Sequence, residues 1–247
     1  MEGPHLLAAL LDVQIMPREI YYQPELLQRT ASGRTLLDRL LYDSPLVPEQ
    51  LIHVSERVIE SLGETQTSQG IVGVLTIETF QPERIRARRS TTSRPALLIL
   101  DNLADPGNVG TILRTALAAD AAAVLLTPGC VDVYSPKVVR AASGAHIALP
   151  IEVNLSWEAI EEKISLHCEG EKRVFLAEAN SPHMYFEQDL QQPFALIIGN
   201  EAHGPSLEAR KLATLSIAIP LANGVESLNA AIATAIVLFE AIRQSQQ

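Results

Sequence analysis

The sequence predicts an α/β protein whose larger C-terminal part is a mainly parallel sheet covered by helices, preceded by a small α/β domain. Three observations predict it. Beyond residue 95 stand six continuous apolar runs of strand length, at 97–100, 123–127, 147–153, 174–178, 194–199 and 215–220. Runs without polar alternation mark strands buried on both faces. Helical patterns separate most of them, at 108–120, 156–168, 206–213 and 227–243. Before residue 82, by contrast, shorter helical and extended patterns alternate.

In order, EGPHLLAALLDV reads as helix, EIYY as strand, GRTLLDRLLYD as helix, LIHVS as strand, ERVIESLG as helix and GIVGVLTI as a buried strand. These make a first domain over 1–81. Residues 82–95, containing RIRARRSTTSR, read as an exposed Arg-rich linker. The second domain then runs over 96–247. In open parallel sheets ligands sit beyond the carboxyl ends of the strands, so function is sought there.

Composition narrows the class. The chain has 247 residues, 47% of them hydrophobic, enough for one large or two modest cores. No run is long enough to span a bilayer, and the start lacks the basic segment of a secretory signal. Cys130 and Cys168 form no metal spacing and are expected to be free thiols in a cytoplasmic protein. The net charge of −10 counsels against a nucleic-acid partner, but it is uneven. Residues 84–94 carry five arginines and no acid, whereas 158–171 is strongly acidic.

Three strand ends carry polar chemistry. The first is ILDNLADPGNVGTILRTAL, 99–117. Asn108 is expected to cap the following helix. Arg114 lies one turn beyond Gly110, so its guanidinium can run back over the bare glycine toward Asn108. The second is FALIIGNEAHGPSLEAR, 194–210, where Glu201 can pair with an arginine and Ser206 caps a helix. Glycines 199 and 204 let backbone approach a ligand closely. His203 stands without an HExxH or a second histidine, so no metal is expected. The third is IAIPLANGVESLNAAIATAIVLFEAI, 217–242, in which Ser227 or Asn229 opens a long helix. A serine hydrolase fits poorly, since GxSxG is missing and no histidine follows Ser227. Neither GxGxxG nor a P-loop is present.

Together and in this order, NLADPGNVGTILRTA, IIGNEAHGPS and IPLANGVESLNAAIATAI resemble the SpoU (TrmH-like) family of RNA ribose 2′-O-methyltransferases, within the SPOUT superfamily. EGPHLL and TQTSQGIVGVL resemble that family's small N-terminal substrate-binding domain, which here reads as shortened at its start. The resemblance implies a deep trefoil knot in the second domain, a homodimer, and S-adenosylmethionine (SAM) as cofactor. It implies cofactor contacts from Gly199, Asn200, Glu201, Gly204, Ile219, Leu221, Ser227 and Leu228. It places Arg114, Asn108, Glu201, Ser227 and Asn229 around the reacting ribose, with Asn108 and Glu201 holding the guanidinium. Arg114 then acts as base or as a fixed charge stabilising the developing alkoxide. Where relatives often continue with Val-Ser, this chain has Ala230-Ala231. The RNA is expected to be gripped by Arg86, Arg88 and Arg89. A separate N-terminal domain favours ribosomal over transfer RNA. Two other readings are a knotted RNA-binding protein without catalysis and an α/β enzyme using another nucleotide.

Overall fold

The computed structural model describes residues 1–43, 48–63, 67–88, 96–169 and 171–246, without the side chains of residues 48, 87 and 88. The chain divides into two compact units, Met1–Gln81 and Pro82–Gln247.

The first unit runs α1 (Pro4–Asp12), β1 (Glu19–Tyr22), α2 (Pro24–Leu27), α3 (Ala31–Asp38), β2 (Leu51–His53), α4 (Glu56–Leu62) and β3 (Ile71–Val74). Its sheet has the order β2-β1-β3, with β1 parallel to β2 and antiparallel to β3. Leu7, Leu10, Ile20, Ile59 and Ile71 are fully buried in its core. Thr30 caps α3 by accepting the Gly33 N–H at 3.0 Å.

The second unit runs α5 (Pro82–Arg88), β4 (Ala96–Leu100), α6 (Pro106–Ala118), β5 (Ala123–Leu126), α7 (Pro136–Ala142), α8 (Ala145–Ala148), β6 (Ile151–Glu152) and α9 (Trp157–His167). Then come β7 (Val174–Ala177), β8 (Phe194–Ile198), α10 (Leu207–Leu212), β9 (Leu215–Ile217) and α11 (Ala230–Ser245). All six strands are parallel, in the order β6-β5-β4-β8-β7-β9. Both faces are covered, which is why the strands read as unbroken apolar runs. Leu98 and Leu100 of β4 join the core under α6, α7, α8 and α11, while Leu97 and Ile99 join the core under α9 and α10. Strand order reverses between β4 and β8, and such switch points open a crevice at the strands' carboxyl ends.

Three expectations are corrected. The apolar run at 147–153 is not one strand: its start belongs to α8, and β6 is only Ile151–Glu152. Gly144, at φ +91°, begins that short helix, and Leu149 before Pro150 is extended, as the residue before a proline prefers. Next, α7 occupies PKVVRAA, where the sequence reading placed no element. Last, the Arg-rich stretch does not begin as linker. Residues 82–88 form α5, with Ile85 buried. Its remainder, 89–95, lies outside the described residues, and Arg89 with it.

Candidate cofactor and substrate site

Asp105, not Asn108, caps α6: its carboxylate accepts the Asn108 N–H at 2.7 Å, and Pro106 fills the first helical position. That frees the Asn108 side chain. Its amide donates to Glu201 Oε1 at 2.6 Å, and its carbonyl accepts from Asn229 Nδ2 at 2.8 Å. The Asn229 carbonyl in turn accepts the N–H groups of Ala231 and Ile232, at 3.0 and 3.3 Å. Asn229 is therefore the N-cap of α11, and Ser227 lies before the helix in the loop. One asparagine thus joins all three polar strand ends, across 93 residues to Glu201 and 121 to Asn229.

Backbone geometry fixes the loop after β8. Asn200 accepts the N–H groups of Ala202 and His203 at 2.9 and 3.0 Å, and donates to Asn102 O at 2.7 Å. The Gly204 N–H returns to Asn200 O at 2.9 Å. Gly199 is glycine because the loop folds onto it: a Cβ there would meet Pro205 N at 2.6 Å. Gly204 is needed for its φ of +69°. Asp101, buried at the end of β4, accepts the Ser206 N–H at 2.7 Å and ties the start of α10 to the sheet. Ser206 itself caps α10 through Ala209 N at 3.1 Å.

These loops enclose a cavity of about 780 Å³ at the carboxyl ends of β7, β8 and β9, within the usual range of about 300–1,000 Å³ for cofactor sites. Its wall includes Gly199, Asn200, Glu201, Gly204, Ile219, Leu221, Ser227, Leu228, Asn108 and Asn229. It also includes a fourth strand end that sequence reasoning passed over, from Ala177 to Pro182. There Glu178 pairs with Arg210 and accepts the Ser216 hydroxyl at 2.8 Å, while Ser181 donates to Ser216 O at 2.6 Å. The signal was present, since the run at 174–178 ends in a carboxylate just as the other strand ends carry polar residues. The lining mixes apolar Ile198, Ile219 and Val237 with polar and charged groups, which suits a ligand with a flat base and a charged, polar tail.

Arg114 is not in this wall. It is exposed and makes no hydrogen bond or ion pair with a described residue. The bare side of Gly110 does not receive it either. A Cβ on Gly110 would strike the Ala141 side chain, Val138 O at 2.9 Å and Ala142 N at 3.1 Å, so that face packs against α7. Asn108 and Glu201 bind each other and not a guanidinium. Arg86 is committed to Glu152 at 2.5 Å, and Lys163 reaches the other oxygen of that carboxylate at 2.7 Å. Burial pushes the Glu152 carboxyl up, but these two cations outweigh it and hold it below the usual range. The side chain of Arg88 lies outside the described residues. Among the described residues no group of His, Cys, Asp and Glu could hold a metal ion.

The sequence matches the SpoU rRNA methylase family over residues 95–239. The chain belongs to that family. Among curated members it is 32% identical to a mouse mitochondrial rRNA methyltransferase 3, over 99% of this chain and 67% of that protein. It is 35% identical to a Bacillus subtilis 23S rRNA guanosine 2′-O-methyltransferase, over 77% of this chain and 71% of that one. The chain therefore spans about two thirds of the length of such family members. Among solved members, the SpoU methyltransferase AviRb of Streptomyces viridochromogenes, in complex with AdoMet, superposes with a TM-score of 0.79 at 25% identity, covering 100% of this chain and 90% of that one.

Proposed function

We propose that the chain transfers a methyl group from SAM to a ribose 2′-hydroxyl of ribosomal RNA. One observation carries the reading: Asn108 bridges Glu201 and Asn229 in the wall of the cavity, so a single amide fixes three loops where the reaction would occur. Kinship with rRNA and 2′-O-methyltransferases supports the substrate and the atom methylated.

Bound SAM supplies an activated methyl on a sulfonium, so the protein's work is alignment and proton management. The loops 199–205 and 219–228, with Ser227 and Leu228, would hold the cofactor. Asn108, Glu201 and Asn229 keep the wall in one geometry. Arg114, outside the wall, meets the RNA and not the cofactor. It orients the hydroxyl and offers a fixed positive charge while the hydroxyl proton passes to a phosphate oxygen of the bound RNA and on to water. Membership of the SpoU family and the likeness to AviRb support reading this unit as the knotted fold.

The chain also pairs with a second copy. On α11, Ile232 and Phe239 are 51% and 49% exposed, one helical side left uncovered by the chain itself. An rRNA substrate puts the enzyme's work beside ribosomes, and the cytoplasmic location remains the expectation from the sequence. No helix among the described residues is long and apolar enough to cross a membrane.

The test is titration calorimetry with S-adenosylhomocysteine, followed by methylation of rRNA and nucleoside analysis. One ligand per subunit and a 2′-O-methylated nucleoside are expected. Absence of binding at millimolar ligand, or a methyl on a base, would overturn the reading.

A further inference from the structure

Charge in this acidic chain is segregated. Residues 82–151 hold eight Arg or Lys against five Asp or Glu, while the rest hold eleven against twenty-four. Five of these eight cations lie in residues 84–94, and the other three, Arg114, Lys137 and Arg140, stand on α6 and α7. The apolar sides of α6, α7 and α8 pack into one core on one side of the sheet, and acid-rich α9 lies with α10 on the other. Residues 106–119 and 133–151, which form α6, α7 and α8, contain Arg114, Lys137 and Arg140 and not one carboxylate.

All three cations are exposed, and none bonds a described residue. Lys137 and Arg140, three apart, lie along one side of α7. Arg114, one turn from Gly110, emerges beside the seam where α6 packs on α7. Helix stability does not account for the set. Arg140 in the last turn is favoured by the helix dipole, but Lys137 stands in the first turn, where that dipole disfavours a cation. The stretch that looked most basic, by contrast, is partly neutralised, since Arg86 is spent on Glu152.

We propose that the outer side of α7 is a phosphate-contact surface for RNA, with Lys137 and Arg140 gripping the backbone of the strand whose ribose Arg114 meets. This rests on the RNA-methyltransferase reading above. A row of cations without ion pairs in a protein of net charge −10 complements a polyanion.

The test measures binding of an unmodified large-subunit rRNA transcript across a salt series, with S-adenosylhomocysteine titration as a check on folding. Each lost phosphate contact lowers the slope of log K against log salt by about 0.7–0.9. K137Q/R140Q is therefore expected to flatten it by about 1.4–1.8, and either single variant by about half that. Cofactor affinity should not change. The control K172Q/K211Q removes equal charge from outside this face and should leave the slope alone. A K137Q/R140Q slope equal to wild type, or an equal flattening in the control, would overturn the proposed surface while leaving the enzyme reading intact. A wild-type protein that binds cofactor but shows no salt-dependent RNA binding would overturn both.

Discussion

Asn229 performs two tasks with one amide: its carbonyl caps α11 and its NH₂ donates to Asn108. The two separate by substitution. Asn229→Ala loses the cap, at a cost of about 1 kcal/mol, a fall of roughly 2–4 °C in Tm for a protein of this size. Asn229→Asp keeps the acceptor and should hold near wild-type Tm in a thermal melt. It cannot donate to Asn108, and the loss of an orienting bond of about 1 kcal/mol should slow methyl transfer roughly fivefold. Equal melting losses in both variants would show that the cap is not what Asn229 supplies. Arg114→Ala should collapse turnover and leave S-adenosylhomocysteine affinity unchanged, because the side chain is outside the cavity wall. At this scale the sequence named Asn108, Glu201 and Asn229, but not what binds what. Its pairing of an arginine with Asn108 and Glu201 failed because Asp105 took the cap and left Asn108 free to reach across the fold.

The helix pair α6–α7 depends on Gly110. Gly110→Ala should cost about 1–3 kcal/mol, since the methyl would overlap Ala141 and the α7 backbone, and the pair would have to part. Chemical denaturation would measure it, and a neutral substitution would mean the helices are not in contact there. Just beyond α7, His146 on α8 is fully buried. Its Nε2 donates to Val133 O at 2.8 Å and its Nδ1 has no hydrogen-bond partner among the described residues. Burial holds its pKa below the usual imidazole range, against opposing pulls from that bond and from Asp132. The unfolded chain therefore takes up a proton that the folded one refuses, and stability is lost as pH falls below the unfolded value of about 6.5. Melting temperature should drop from pH 7 to pH 5 by less in His146→Gln than in wild type. The sequence marked α6 and missed α7 and α8, because seven- and four-residue helices give too little periodicity to register, and an apolar run alone does not separate helix from strand.

For the whole molecule, the uncovered side of α11 makes association the quantity to measure. The wild-type protein is expected to sediment as a dimer and Ile232→Glu/Phe239→Glu as a monomer. Identical sedimentation of the two would remove the pairing surface proposed on α11. The parallel sheet was legible at this scale, because strands covered on both faces must be apolar at every position, and four of the six runs hold strands over most of their length and a fifth, 215–220, over half of it.

Composition and pattern by themselves determined the class of the molecule: an α/β chain with a buried parallel sheet, and polar chemistry placed at strand ends. Those are local properties, written wherever a residue must be buried or a turn must be made. Only the tertiary structure decided the strand order that sets β8 beside β4, the amide that joins residues 108, 201 and 229, and the ion pair that withdraws Arg86. Each of these joins parts of the chain at least 66 residues apart. Which partner a polar group meets at that distance is set by how the elements pack, and periodicity along the chain carries no record of it.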